Sequence, residues 1–229
     1  MKNIILQHFE PQGKNIGKPM PLIVRKSMEN IKEYAESLGA EYKLLDGEPF
    51  QKGLRSQCQK CAAINEEYDE YDNVVVLDTD KFVTTSCTEN IFNETGIACY
   101  GRTHKNVIQR QIVSAYPKYA SYDYPIWGGA VYVMPREFRQ LMRNNIDDEM
   151  RELFKKISAK PWVDEGIFHV LAVKAKFKLD HTLDEKWDYN SYDPHPETAN
   201  MIHIRHRPKS REENYYDLVF KGIIKDNMT

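Results

Sequence analysis

The sequence VVVLDTDKFV, residues 74–83, carries the strongest structural signal in the chain. Its first four residues are apolar and three of them are β-branched, which predicts a strand buried on both faces of a helix-covered sheet. Two carboxylates, Asp78 and Asp80, follow this strand directly. In open α/β sheets, ligands bind beyond the carboxyl ends of the strands, so both residues are candidates for a ligand site.

A divalent cation is one explanation for this acidic pair. Two carboxylates held close together repel each other unless a proton or a cation lies between them. Hard oxygen ligands suit Mg²⁺ or Mn²⁺, and such an ion commonly bridges phosphate groups. The alternative is a solvated turn, because Asp is common in turns. A D-x-D sequence also occurs by chance, so its structural context has to decide.

Strands and helices alternate along the rest of the chain. The hydrophobic pattern predicts strands at residues 2–8, 41–45, 74–77, 128–134, 176–179 and 201–204. It predicts helices at residues 28–38, 54–68, 107–115, 135–142, 150–157, 165–173 and 212–224. This alternation indicates the α/β class, as one domain with a mostly parallel central sheet flanked by helices.

The composition excludes several classes of protein. The 229 residues are 41% hydrophobic and 29% charged, as in ordinary globular proteins. The formal net charge of −2 provides no basic excess, so we expect no nucleic-acid partner. No apolar run approaches the roughly 20 residues of a transmembrane helix, and the apolar stretch at the start is too short for a signal peptide. We therefore expect a cytoplasmic protein.

Residues 78–80 resemble the DxD motif of nucleotide-sugar glycosyltransferases with the GT-A fold, and three later segments fit the same order. Residues 126–133, IWGGAVYV, are similar to the strand whose small residues face the donor sugar. Residues 162–168, WVDEGIF, are similar to the acidic pair that begins a helix on the acceptor side. Residues 201–209, MIHIRHRPK, resemble the strand and loop in which a histidine completes the metal site and a lysine meets the diphosphate.

The resemblance implies a Mn²⁺ or Mg²⁺ site formed by Asp78, Asp80 and a histidine. In the glycogenin-like branch this histidine and the diphosphate lysine are six positions apart, as are His203 and Lys209. That branch has a glycine between them, and His206 stands in its place here. Both histidines therefore remain candidate metal ligands.

Candidate donor-binding residues come from the resemblance and from strand ends. They are His8, Phe9, Arg55, Asp78, Thr79, Gly128, Gly129 and Lys209. His8 and Phe9 end the first strand, where they can meet the base and ribose or simply pack at the sheet edge. Arg55 resembles a basic residue near the phosphates, and an exposed helix residue is the alternative.

Asp164 and Glu165 are the candidate catalytic residues. Either one can act as general base on the acceptor hydroxyl or help to hold the donor sugar. An acid at a helix N-terminus is also favoured by the helix dipole, without any chemical role. The glycogenin-like order of motifs slightly favours a retaining course, although the same acids equally serve an inverting one.

The sequence therefore predicts a metal-dependent glycosyltransferase. By resemblance, its donor is a UDP-sugar and its acceptor is a hydroxyl group on a glycan or glycoprotein. Residues 1–229 form one domain, with nucleotide and metal binding at about 1–100, the acceptor side at about 101–210 and a C-terminal helix at 211–229. Small viral glycosyltransferases of this type have a similar length, and for such a protein the location is the host cytoplasm.

Two alternatives belong to other functional classes. A haloacid-dehalogenase-type phosphotransferase also has D-x-D after a strand, but that motif usually opens the fold, and Thr or Val stands at the position of Phe82. A module that binds a nucleotide or glycan without catalysis is the second alternative, because binding and catalytic sites share residue types.

Overall fold

The structure is a computed structural model that describes residues 1–11, 16–100, 116–121, 124, 127–159, 163–177 and 182–226. The helix predicted at 107–115 lies outside these residues, as do Ile126 and Trp162 of the two quoted motifs. Among the helices of the described part, none combines the length and apolar character needed to cross a bilayer.

Strands and helices alternate as the hydrophobic pattern predicts. The strands are β1 (Asn3–His8), β2 (Glu41–Leu45), β3 (Asn73–Leu77), β4 (Lys81–Val83), β5 (Ala98–Tyr100), β6 (Trp127–Pro135), β7 (Tyr189–Asn190) and β8 (Met201–His203). The α-helices are α1 (Leu22–Ser37), α2 (Ser56–Gln59), α3 (Arg136–Asn144), α4 (Asp148–Ser158), α5 (Val163–Lys174) and α6 (Arg211–Phe220).

Five strands form the central sheet, in the order β2-β1-β3-β6-β5. Strand β1 pairs in parallel with β2 and β3, whereas β6 pairs antiparallel with both β3 and β5. Strand β6 therefore runs against the other four, and the predicted mostly parallel sheet is confirmed. The shared direction of β1 and β3 brings their carboxyl ends to the same edge.

Strand β3 is buried on both faces, as its apolar run predicts. Val74 and Val76 lie in the core formed with α3, α4 and α5. Val75 and Leu77 lie in the core on the opposite face, with residues of α1. All four side chains are at most 1% exposed, so β3 is anchored from both sides and holds the residues that follow it in a defined position.

A second sheet of three short strands, in the order β4-β8-β7, extends beyond the end of β3. Phe82 of β4 and Ile202 of β8 pack with Tyr215 of α6 in a separate core. The antiparallel register pairs Lys81 with His203. This small sheet therefore brings a strand from late in the sequence beside the two carboxylates that follow β3.

The helix predicted at residues 54–68 is wrong in its extent. Only α2 is α-helical, and two 3₁₀ segments, Lys60–Ile64 and Glu66–Tyr68, replace the remainder. Asn65 between them is extended, with φ −68° and ψ 156°, and its side-chain amide donates to the Pro49 carbonyl at 3.0 Å. This bond joins Asn65 to a loop 16 residues earlier in the sequence, outside the predicted helix.

Two other elements are shorter than predicted. The C-terminal helix, expected over residues 211–229, ends at Phe220, and Gly222 then has a φ of +69°. Residues 176–177 of the strand predicted at 176–179 form a turn and an irregular residue, and the rest of that segment lies outside the described residues.

Candidate functional site

Two carboxylates and one imidazole converge at the carboxyl end of β3. One ligand atom from each of Asp78, Asp80 and His203 lies within 4.8 Å of the others. The His203 Nε2 atom is 2.8 Å from Asp80 Oδ1 and 3.9 Å from Asp78 Oδ2. Carboxylate oxygens with an imidazole nitrogen suit a divalent cation such as Mn²⁺, so these residues fit the metal that the motif implies.

The structure separates the two candidate histidines. His203 ends β8, is 2% exposed and faces the carboxylates. His206 is exposed in the loop beyond β8 and, in the described part of the chain, is not a member of the cluster. The geometry therefore favours His203 as the third ligand.

Positive charge surrounds Asp80. The Arg211 Nη2 atom lies 2.8 Å from Asp80 Oδ2, opposite the contact with His203. Burial by itself raises the pKa of Asp80, but the charges of His203 and Arg211 outweigh burial and hold that pKa below its usual value. Asp80 is therefore ionised at neutral pH, as a metal ligand has to be.

The loop after β8 places its basic residues differently from the sequence-based expectation. Lys209 is exposed, and its Nζ lies 2.5 Å from Asp217 Oδ2 in α6. Arg211, two positions later, contacts Asp80 instead. A capping box at Ser210 defines the start of α6 and so sets the position of Arg211. Sequence reasoning missed Arg211 because the family motif ends at Lys209.

Lys60 is a second residue that sequence reasoning missed. Its buried Nζ lies 2.6 Å from Asp78 Oδ1, 3.0 Å from Asp164 Oδ2 and 2.5 Å from the Gly129 carbonyl oxygen. Burial by itself lowers the pKa of Lys60, but the charges of Asp164 and Asp78 have the larger opposite effect. The pKa is therefore raised above its usual value, and the ammonium stays charged. No sequence pattern distinguishes this lysine from an exposed one in a helical segment.

Lys60 contacts both Asp78 of the group formed with Asp80 and His203 and Asp164 of the predicted acidic pair at the start of α5. Asp164 and Glu165 are only 5% and 9% exposed. Burial, together with the nearby charge of Asp164, raises the pKa of Glu165 to about 8. Burial likewise raises the pKa of Asp164, although Lys60 opposes this. The pair therefore binds protons more readily than exposed carboxyls do.

Gly129 permits this close approach of β6 and α5. Its backbone N–H donates to Glu165 Oε1 at 3.1 Å. A Cβ atom at position 129 would lie 2.4 Å from Asp164 Oδ2 and 3.0 Å from Glu165 Oε1, distances that force the acids to move. The predicted small residue in this strand therefore has a steric reason, and Gly128 lies beside it, partly exposed.

The predicted donor-binding residues His8 and Phe9 lie at the same sheet edge, at the end of β1. His8 ends β1, and its Nε2 atom is 2.9 Å from the Gly47 carbonyl oxygen. Burial lowers the pKa of His8, and the charge of Lys60 adds to this effect. The Phe9 backbone N–H donates to the Leu45 carbonyl at 3.0 Å. Both residues are half-buried.

Arg55 and Thr79, two further predicted donor-binding residues, lie in different segments of the chain. Arg55 is exposed at the start of α2, and its Nη2 donates to the Ala159 carbonyl at 3.3 Å. Lys60, five positions later, is the residue of this segment that reaches Asp78. Thr79 lies between the two carboxylates and is partly exposed.

Comparisons with known proteins agree with this arrangement at the level of fold. No protein-family model and no curated protein matches the sequence. A glycosyltransferase involved in the glycosylation of the major capsid of PBCV-1 matches in structure with a TM-score of 0.57 and 13% identity, over 95% of this chain and 99% of that chain. The galactosyltransferase LgtC in complex with donor and acceptor sugar analogs matches with a TM-score of 0.52 and 10% identity, over 98% and 97%. Mouse xyloside xylosyltransferase 1 gives a TM-score of 0.53 and 14% identity, over 89% and 97%.

The chain has the GT-A glycosyltransferase fold. The prediction made from the D-x-D motif and the three later segments is therefore confirmed for the fold. Within this GT-A fold, β3, β6, α5 and β8 bring six of the predicted site residues together, namely Asp78, Asp80, Gly129, Asp164, Glu165 and His203. Lys60 and Arg211 join them.

Proposed function

We propose that the protein is a metal-dependent glycosyltransferase. It transfers a sugar from a nucleoside-diphosphate sugar, a UDP-sugar by resemblance, to a hydroxyl group of a glycan or glycoprotein. The observation that carries the proposal is the cluster of Asp78, Asp80 and His203 beyond the end of β3. Glycosyltransferases of the same fold support the reaction class.

The residues that would hold Mn²⁺ or Mg²⁺ are Asp78, Asp80 and His203, the last through Nε2. When bound, such an ion neutralises the charge that the departing diphosphate develops as the anomeric C–O bond breaks. Asp80 is already ionised, and His203 has to lose its Nε2 proton before the nitrogen can act as a ligand. The 2.8 Å contact between Nε2 and Asp80 Oδ1 marks the place of that proton.

Arg211 and Lys209 are the proposed diphosphate contacts. In the structure, Arg211 neutralises Asp80 at 2.8 Å, and binding of a cation at this site would free the guanidinium from that role. The guanidinium is then available for phosphate oxygens, which it can bind in a bidentate manner. Lys209 has to leave its exposed partner Asp217 to take part, so we rank Arg211 first.

Asp164, Glu165 and Lys60 form the proposed sugar-binding and proton-transfer side of the site. A pKa of about 8 places Glu165 close to the pH at which general bases and acids are effective. It can accept the proton of the acceptor hydroxyl, or donate a hydrogen bond to a sugar oxygen while protonated. Lys60, held by Asp78 and Asp164, fixes the acidic pair relative to the metal ligands.

His8, Phe9, Thr79 and Gly128 complete the proposed donor site. The half-buried residues His8 and Phe9 lie at the sheet edge where β1 and β3 both end, and their rings can offer faces for a uracil base. Arg55 remains a candidate phosphate contact, although the carbonyl of Ala159 is its partner here. The GT-A fold argues against the phosphotransferase alternative.

Thermal unfolding with UDP, Mn²⁺, both and neither tests this proposal. A ligand at a hundred times its dissociation constant adds about 2.7 kcal/mol, and each kcal/mol moves the midpoint of a domain of this size by roughly 2–4 °C. We expect the largest shift when both ligands are present. GDP and ADP with Mn²⁺ serve as controls for the base, and a panel of sugar donors with product detection then measures turnover.

Two results would contradict the proposal in different ways. A cooperative melt that neither ligand shifts removes the metal–diphosphate site. A shift with UDP and Mn²⁺ but no transfer from any donor, to water or to glycan acceptors, supports the binding-module alternative.

A further inference from the structure

An ion pair with a buried lysine and a partly buried aspartate lies next to His203. Lys81 follows Asp80 in the sequence, and its side chain is fully buried. The Lys81 Nζ atom lies 2.6 Å from Asp188 Oδ1 and 2.9 Å from the Trp187 carbonyl oxygen. Because burying two charges costs about as much free energy as their attraction returns, such a pair is weak evidence for a role in stability. Its position suggests a role at the site.

The small sheet connects this ion pair to His203. Lys81 is opposite His203 in the antiparallel pairing of β4 with β8, and Asn190 of β7, two residues after Asp188, is opposite His203 on its other side. Asp188 Oδ1 therefore comes within 3.8 Å of His203 Nδ1. Within the described residues, Nδ1 is buried and has no hydrogen-bond partner.

The two nitrogens of His203 thus face different carboxylates. Nε2 faces Asp78 and Asp80, the proposed metal ligands, whereas Nδ1 faces Asp188. A histidine that binds a metal through one nitrogen almost always donates the N–H of the other to a carboxylate, carbonyl or water, which fixes the tautomer and the ring orientation.

We propose that Asp188 is a positioning residue that Lys81 holds in place. Its carboxylate accepts a hydrogen bond from the Nδ1–H of His203, and this orients the ring so that Nε2 faces the cation site. This inference rests on the proposed function, because it requires a cation at Asp78, Asp80 and His203. Lys81 compensates the buried charge of Asp188, and the Trp187 carbonyl anchors Lys81 in turn. None of these three residues belongs to the group of Asp78, Asp80 and His203 that would hold the cation.

Titration calorimetry with MnCl₂ alone, on the full chain, tests the inference. Asp188→Asn keeps the shape of the side chain and an acceptor for Lys81, but it removes the charge that favours a donating Nδ1. Loss of an outer-shell carboxylate of this kind typically weakens metal affinity about 10–100-fold, and we expect a change in that range.

Asp226→Asn is the matched control. Lys26 is buried like Lys81, and its Nζ lies 2.5 Å from Asp226 Oδ1, but this pair joins α1 to the C-terminal segment, and neither residue belongs to the group of Asp78, Asp80 and His203. We expect its Mn²⁺ affinity to stay within about twofold of the wild type, whatever its effect on unfolding. A structural role of both ion pairs predicts equal effects on Mn²⁺ binding.

A second readout follows the histidine itself. In long-range ¹H–¹⁵N spectra with saturating Mg²⁺, the wild-type His203 ring should carry its proton on Nδ1, and Asp188→Asn should reduce that population. If Asp188→Asn does not melt cooperatively, Asp188→Ser replaces it, since a smaller side chain leaves room for a water between Lys81 and His203.

The possible outcomes separate the inference from the proposed function. If the wild type binds Mn²⁺ and the folded Asp188 variants bind it within twofold, Asp188 does not position His203, and the proposed metal site remains. If the wild type binds neither Mn²⁺ nor Mg²⁺, the proposed metal-dependent function fails, and the positioning role fails with it.

Discussion

The candidate site contains two acidic pairs, and their surroundings shift the pKa values of Asp80 and Glu165 in opposite directions. Asp78 and Asp80 follow β3, and the charges of His203 and Arg211 hold the pKa of Asp80 below its usual value. Asp164 and Glu165 begin α5, and burial raises the pKa of Glu165 to about 8. Both pairs consist of carboxylic acids, so the nearby positive charges and the degree of burial decide the direction of the pKa shift.

This contrast suggests that the two acidic pairs have different chemical roles. Ionised carboxylates can hold a cation, whereas a carboxyl that titrates near neutral pH can give or take a proton. Lys60 lies between the pairs, 2.6 Å from Asp78 and 3.0 Å from Asp164, and neutralises one member of each. The predictions below alter one pair, the lysine between them, the other pair and the surrounding basic residues.

Removing a charge from the first pair should have the largest effect. We expect Asp80→Asn to abolish Mn²⁺ binding and to reduce sugar transfer at least about 10³-fold, because the developing diphosphate charge is no longer neutralised. Calorimetry and initial rates measure the two effects. Asp72→Asn, at the opposite end of the same strand and paired with Arg136, is the control and should leave both unchanged. Metal-dependent transfer that survives Asp80→Asn contradicts the proposed site.

Lys60→Met removes the cation that both pairs share. Because buried carboxylates then lose their partner, we expect a loss of about 3–4 kcal/mol in the free energy of unfolding, measured with urea. Lys43→Met is the control, since Lys43 is half exposed and its Nζ lies 3.6 Å from the exposed Glu67, and it should change little. Equal losses in the two variants would show that Lys60 has no special electrostatic role.

Glu165→Gln tests the second pair through pH. The pKa of Glu165 is about 8 in the folded protein and near 4.5 when unfolded, so the folded state binds more protons between these values. Stability due to this group is therefore present below pH 4.5 and is lost as the pH rises towards 8. At about 1.4 kcal/mol per pKa unit, the wild type should lose about 2–4 kcal/mol relative to Glu165→Gln between pH 5 and pH 8. Parallel pH profiles of the two proteins would refute the raised pKa.

Arg211→Ala and Lys209→Ala should have the smallest effects and rank the two basic residues. Arg211 contacts Asp80, whereas Lys209 contacts Asp217. We therefore expect UDP with Mn²⁺ to bind about tenfold more weakly to Arg211→Ala. Lys209→Ala should change this affinity less. The reverse ranking would restore Lys209 as the main diphosphate contact, as the family motif implies.

Local patterns in the sequence were sufficient for much of the fold. The apolar run of β3, the helical spacing that ends at Gly39 and the acids at the start of α5 all act within a few residues. The predictions made from these patterns are confirmed, because hydrophobic periodicity and turn chemistry are short-range properties. The prediction for residues 54–68 was wrong because Asn65 bonds to a loop carbonyl that the local pattern does not include.

Only some of the residues of the acidic site could be predicted from the sequence. The sequence by itself determined that Asp78 and Asp80 follow a buried strand, and that an acidic pair and a basic loop come later. Only the tertiary structure decided that His203 rather than His206 faces these carboxylates, and that Lys60 and Arg211 supply the positive charge. The physical reason is that pKa values and ion pairs depend on burial and on neighbours from distant segments, which become adjacent only when the sheets form.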